Sequence, residues 1–150
     1  MAALVTVTAD YKDDADDLFA SALDFREMTD AMKGIAVYEG GPDGPVAEGM
    51  TFSVDVAMFG VMKTNGHAMH VETLDRPNRI LQSREHSPAV KRWDHRLTID
   101  QDGDVARWTD RIEIDAGWRT FGAARFARFI YAYRHRRRGA LTIAKTVERA

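Results

Sequence analysis

His95 and Asp110 are the two side chains in this sequence best suited to carrying chemistry together. A carboxylate beside an imidazole fixes which ring nitrogen holds the proton and raises the ring's basicity, which suits proton transfer near neutral pH. The same pair also suits a buried, hydrogen-bonded couple that satisfies two polar groups, or a polar anchor for a ligand. His67 is a second candidate, facing the interior if the strand register derived below holds. Its spacing to His70 resembles a metal motif, but strand positions three apart point to opposite faces, so no shared ion is expected. The absence of cysteine excludes disulfides, thiolate metal sites and cysteine nucleophiles. There is no phosphate loop, dinucleotide glycine fingerprint or serine elbow. Neither a metal nor a cofactor is expected.

The elements that must position these groups follow from hydrophobic periodicity. Leu4 to Thr8 reads as a first strand. Asp13 or Asp14 caps a short helix through Phe19 and Leu23, and a second runs from Met28 to Lys33, ending at Gly34. From Ile35 to Asp115 the pattern alternates as strands do. From Arg119 to Glu148 it is helical, interrupted only by Gly139. The fold class expected is α+β, with a curved antiparallel sheet wrapped around one long C-terminal helix.

Two hairpins decide which side chains face the interior. Asp102-Gly103 is a two-residue turn signal. It places Arg92 opposite Glu113, Asp94 opposite Arg111 and His95 opposite Asp110. On the apolar face it sets Trp93 against Ile112 and Leu97 against Trp108. In Thr51 to Met58, Phe52, Val54, Val56 and Met58 share one face. A two-residue turn near Gly60 carries that face into Asn65, His67, Met69 and Val71; a three-residue loop would reverse it.

The helix offers Phe126, Phe129, Ile130, Tyr133, Ala140, Leu141 and Ala144 as its buried stripe, with Arg137 inside it and Phe121 and Tyr131 off it. The run Arg134 to Arg138 reads as a solvated face. Arg134, Arg136 and Arg138 are its candidate contacts if an anionic partner exists, although nucleic acid is not expected.

The chain has 150 residues and a net charge of −2. That length suits one domain with a substantial core. Residues 1–60 hold 3 of the 21 basic and 12 of the 23 acidic side chains, so the two ends carry opposite charge. No signal peptide or membrane-spanning stretch is visible. A cytoplasmic monomer or homodimer is expected.

Several local patterns occur in the same order as in a known superfamily. They are Phe19 with Leu23, Tyr38-Glu39-Gly40, Glu48-Gly49, Leu74-Asp75-Arg76-Pro77, and Trp93-Asp94-His95 followed by Thr109-Asp110. With the element order, they make the whole chain resemble the START-like, helix-grip (SRPBCC) superfamily, polyketide cyclase/dehydrase-like. The resemblance implies a bent seven-stranded sheet gripping the terminal helix around a cavity. Its members bind lipids, sterols, hormones or aromatic polyketides, and a minority catalyse cyclisation, dehydration or condensation. No catalytic motif is universal among them.

The expected function is binding of a small hydrophobic or aromatic ligand between sheet and helix. The sheet would line the site with Phe52, Val54, Val56, Met58, His67, Met69, Trp93, Leu97, Trp108 and Ile112, and the helix with Phe126, Phe129 and Tyr133. His95 and Asp110 would orient a polar group or, in a cyclase/dehydratase, act as base and orienting acid. An interaction module using the basic helix face is the remaining alternative.

Overall fold

The computed structural model describes all residues from Met1 to Ala150. Along the chain run β1 (Ala3–Tyr11), α1 (Ala15–Ala22), α2 (Phe25–Ala31), β2 (Ala36–Gly40), β3 (Thr51–Met58) and β4 (Met62–Asp75). There follow β5 (Ile80–His86), β6 (Arg92–Asp102), β7 (Val105–Asp115), α3 (Thr120–Arg138) and β8 (Thr142–Arg149). The strands form one antiparallel sheet in the order β2-β3-β4-β5-β6-β7-β1-β8, wrapped around α3. No helix is long and apolar enough to cross a membrane.

The strand β1 shows how sequence dictates burial here. Ala3, Val5, Val7, Ala9 and Tyr11 are buried while the residues between them are not, the signature of a sheet with one covered face. The Asp14 carboxylate accepts hydrogen bonds from the Asp16 and Asp17 amides, so it, and not Asp13, caps α1.

The terminal helix is shorter than expected. It ends at Gly139, whose φ of 84° is left-handed. The Gly139 amide donates to the Arg136 carbonyl and the Ala140 amide to the His135 carbonyl, closing a Schellman motif. Beyond it, Thr142, Ile143, Thr146 and Val147 are β-branched and form an eighth strand along β1. The sheet therefore has eight strands, not seven.

The buried seam of α3 is also rotated from the expected stripe. Thr120, Ala124, Ala127, Tyr131 and His135 form it, with Ile130 beside them. Small alanines let the helix lie close against Val5 and Val7. Phe129 is 41% exposed, whereas Tyr131, expected off the stripe, is 4% exposed. The expected face is displaced because it weighs the large Phe126, Phe129 and Tyr133 and includes Ala140, Leu141 and Ala144, which lie beyond the true helix end.

The β6–β7 register differs by two residues from the expected one. Asp102 pairs with Val105, so the turn residues are Gly103 and Asp104. Gly103 has a φ of 63° and Asp104 has no positive φ. That is the first-position glycine of a type II′ turn, whereas the expected turn placed Asp-Gly at its centre. His95 therefore lies opposite Ile112, Trp93 opposite Ile114 and Leu97 opposite Asp110. A two-residue slip preserves faces, so the inward set is unchanged. Arg92 still reaches Glu113 at 2.9 Å, but Asp94 pairs with Arg84 and Arg92, not with Arg111.

In the β3–β4 hairpin two departures cancel. The loop has three residues, Phe59 to Val61, which reverses the faces. A bulge at Asn65-Gly66, held by the Gly66 amide on the Asp55 carboxylate at 2.8 Å, reverses them again. Thr64 consequently replaces Asn65 among the inward residues, while His67, Met69 and Val71 face in as expected.

Candidate ligand cavity and polar site

A cavity of about 280 Å³ lies between the concave face of the sheet and α3, with α2 at one side. Of its 32 lining residues, 22 are hydrophobic, so its walls favour an apolar occupant. Phe52, Val54, Val56, Met58, His67, Met69, Trp93, Leu97, Trp108 and Phe126 all line it, as do His95 and Asp110.

Three expected lining residues do not. Ile112 is wholly buried where α3 rests directly on the sheet, among Ala124, Ala127 and Tyr131. Phe129 points outward toward Phe59, their rings 6.5 Å apart. The Tyr133 hydroxyl donates to the Lys33 carbonyl at 2.9 Å, tying α3 to the chain after α2. These misplacements follow from the rotated helix face.

The expected basic stripe does not form a single face. Arg134 and Arg138 line the cavity, while Arg136 and Arg137 are exposed. Sequence reasoning also missed Tyr131, Ser83 and Glu85. Leu81, Ser83 and Glu85 alternate inward along β5, a signal present in the sequence. Tyr131, Arg134 and Arg138 needed the helix phase set by its alanines.

Asp110 is the hub of the polar site. It is 1% exposed on β7, and its Oδ1 accepts from His95 Nε2 at 2.7 Å and from Trp108 Nε1 at 2.9 Å. Its Oδ2 accepts from His135 Nε2 at 2.8 Å. The His95 contact survives the register correction because the two residues are diagonal neighbours. A carboxylate can only accept, so the network assigns a proton to Nε2 of both rings. With His135 neutral, its Nδ1 accepts from the Tyr11 hydroxyl at 2.6 Å. Burial alone would raise the Asp110 carboxyl, but the hydrogen bonds donated by His135 and His95 hold it well below the ordinary carboxylate range.

The two ends of this network differ. His135 is wholly buried and bonded at both nitrogens. His95 lines the cavity and bonds only through Nε2, leaving the Nδ1 lone pair available to a ligand. Beside it lies Tyr131, with ring centroids 5.0 Å apart. Burial, ahead of any neighbouring charge, pushes the Tyr131 phenol well above its ordinary range and keeps it protonated. Trp93 Nε1 donates to its oxygen at 3.4 Å, so the phenol O–H remains free to donate.

A second buried carboxylate, Glu85, accepts from His67 Nε2 at 2.8 Å and from the Ser83 hydroxyl at 2.7 Å. Burial would raise it; the His67 hydrogen bond and charge outweigh that and lower it. His70 lies on the other face of the sheet, accepting from or donating to the Thr51 hydroxyl at 2.7 Å. The two histidines of the apparent metal motif are thus separated by the sheet.

No protein-family model matches the sequence, and no curated protein matches it either. Solved structures do resemble it. A truncated norcoclaurine synthase from Thalictrum flavum superposes with a TM-score of 0.68 over 91% of each chain at 11% identity. Ara h 8.0201 gives 0.63 over 90% of this chain and 96% of its own, at 7% identity. CalU16 from Micromonospora echinospora gives 0.61 over 92% and 77%, at 10% identity. This is the helix-grip fold. The resemblance to the START-like superfamily read from the sequence is thereby borne out at the level of fold. Within a helix-grip fold the cavity is the natural product of a bent sheet closing on a helix that touches it at only one side. Here Ala124 and Ala127 make the close contact with β1, and α3 stands off from β3 to β5, where the cavity opens.

Proposed function

We propose that this helix-grip chain binds a small hydrophobic or aromatic ligand, with residues 1–150 acting as one ligand-binding unit. The observation that carries this reading is an apolar cavity whose few polar groups include donors and acceptors left unused by the fold, His95 Nδ1 and the Tyr131 hydroxyl among them. A close-packed core would have no such space and would leave no such groups. Trp93 and Trp108 line the cavity, whereas Trp118 is 92% exposed. In a Trp118→Phe variant, titration with 1-naphthol should therefore quench the remaining tryptophan emission to saturation. Emission that stays unchanged while the probe is shown by calorimetry not to bind would remove the reading.

A second reading, catalysis in the same cavity, is favoured by the His95–Asp110 arrangement. His95 Nδ1 would accept a proton from carbon next to a ligand carbonyl, and Asp110 would steady the imidazolium that forms. The Tyr131 phenol would donate to the oxygen of the resulting enolate. The enolate carbon is then a nucleophile for an intramolecular condensation, the first step of a cyclisation. One structure of similar fold is named a synthase, so this architecture accommodates catalysis in at least that protein. His95→Ala should leave ligand affinity within a few-fold and lower turnover of a cyclisable polyketide by about 10²–10⁴-fold. Unchanged turnover would leave the chain a binding protein.

A further inference from the structure

Every other basic side chain in the cavity wall has an acidic partner, but Arg134 does not. Arg138 donates through Nε to Glu27 at 2.6 Å and lies over the Trp108 ring at 4.5 Å. His95 is held by Asp110 and His67 by Glu85. The Arg134 Nε is buried and has no hydrogen-bond partner at all. Its only polar contact is from Nη2 to the Tyr38 hydroxyl oxygen, long at 3.4 Å. The guanidinium instead rests on the Tyr131 ring, 4.6 Å from its centroid.

An arginine cannot escape this situation by losing its proton, because its charge persists under all ordinary conditions. None of the carboxylates of the cavity wall pairs with it; each is engaged by other donors. Asp110 already accepts three hydrogen bonds, Glu85 accepts two, and Asp24 caps α2 through the Arg26 amide. A cation with a buried, unmet N–H destabilises the unliganded protein. Such a group is retained at a gain only if something arrives to pair with it. The planar fork of a guanidinium matches a carboxylate with two parallel N–H···O bonds. The Tyr38 hydroxyl, accepting from Arg134, keeps its own proton to donate to the same anion.

We propose that Arg134, backed by Tyr38 and Tyr131, binds a carboxylate on the ligand, so that the ligand class is an apolar or aromatic carboxylic acid. The inference rests on the ligand-binding reading above and narrows it. The Tyr131 ring touches both Arg134 and His95, so an acid seated on the guanidinium extends its apolar body past Tyr131 toward the His95 Nδ1.

The test compares 1-naphthylacetate with 1-naphthylacetamide at neutral pH, by calorimetry, on the wild-type chain. The two probes share ring and length and differ in one charge. The acid should bind at least tenfold more tightly. Arg134→Gln should abolish that preference by weakening the acid while leaving the amide within about twofold. Arg134→Lys should restore part of it. Arg134→Met should raise the Tm of the unliganded protein by removing the unpaired charge. Equal wild-type affinities for the two probes overturn the carboxylate assignment and leave the cavity reading standing. Equal losses of both probes in Arg134→Gln do the same. Failure of both probes to bind the wild-type protein counts against the cavity reading itself and takes this inference with it.

Discussion

Replacing Asp110 with alanine should destabilise the protein by about 3–5 kcal/mol, the largest effect expected of any single polar substitution here. The carboxylate joins His95 of β6, Trp108 of its own strand and His135 of α3, and through His135 it reaches Tyr11 of β1. Truncation would strand three N–H donors, two of them on residues 3% exposed or less. In a chain of this length the Tm should fall by roughly 10 °C, measured by differential scanning calorimetry. Asp110→Asn is the informative control. Its amide oxygen can accept from His95 and Trp108, while its amide nitrogen donates to His135 Nε2. His135 would then carry its proton on Nδ1 and donate to the Tyr11 oxygen. Every bond survives by a change of tautomer, so asparagine should cost much less than alanine. Equal losses in the two variants would show that hydrogen-bond satisfaction is not what holds this cluster together.

The second large effect is acid lability. Asp110 and Glu85 are both depressed in the folded protein, each because histidine and other donors outweigh the burial that would raise it. Above the ordinary carboxylate range, near pH 4, both groups are ionised in the folded and unfolded chains alike, and their contribution to stability is complete. As pH falls through that range the unfolded chain takes up protons first. Stability is therefore lost progressively, until the folded-state values are reached. The expected loss between pH 5 and pH 2 is at least about 2 kcal/mol for a carboxylate lowered as far as Asp110, read as a falling urea midpoint. Asp110→Asn should flatten this slope, leaving the smaller part due to Glu85. A slope unchanged in that variant would assign the acid transition to other carboxylates.

What the sequence disclosed, and what it hid, depended on the length scale of each signal. Faces of strands were legible because their period of two survives errors of register. His95 and Asp110 were placed on the right face and in contact although the turn was shifted by two residues. The β3–β4 hairpin was legible for a less instructive reason: its longer loop and its bulge offset one another. The helix was harder. Ala124 and Ala127 carry little hydrophobic weight, yet they set its orientation because only small side chains let the backbone approach β1. Misjudging that phase hid Tyr131, Arg134 and Arg138 and misplaced Phe129 and Tyr133. A buried arginine has no distinguishing mark beside exposed ones in a run such as Arg134 to Arg138. Gly139 was visible as the one interruption of the helical pattern, and its left-handed conformation turned the remaining residues into a strand.

That terminal strand has a kinetic consequence. β1 comes first along the chain, yet both of its partners come late: Val7 pairs with Asp110 on one side and Lys145 on the other. None of its ladder bonds can form until more than ninety residues of intervening chain have been brought into place, the nearest pair being Tyr11 with Ala106. Pairings so distant in sequence close slowly, because loop entropy must be surrendered before any contact rewards it. The β3 to β6 meander, whose neighbours are consecutive, can assemble well before β1 finds its slot. Tyr11 sits at the end of β1 and His135 one turn before the end of α3, so the polar cluster is among the last features to be completed. A half-assembled sheet would already possess apolar walls but not the Tyr11–His135–Asp110 chain. The ability to hold a polar ligand group in place should therefore appear late in refolding, after the ability to bind a simple hydrophobic dye.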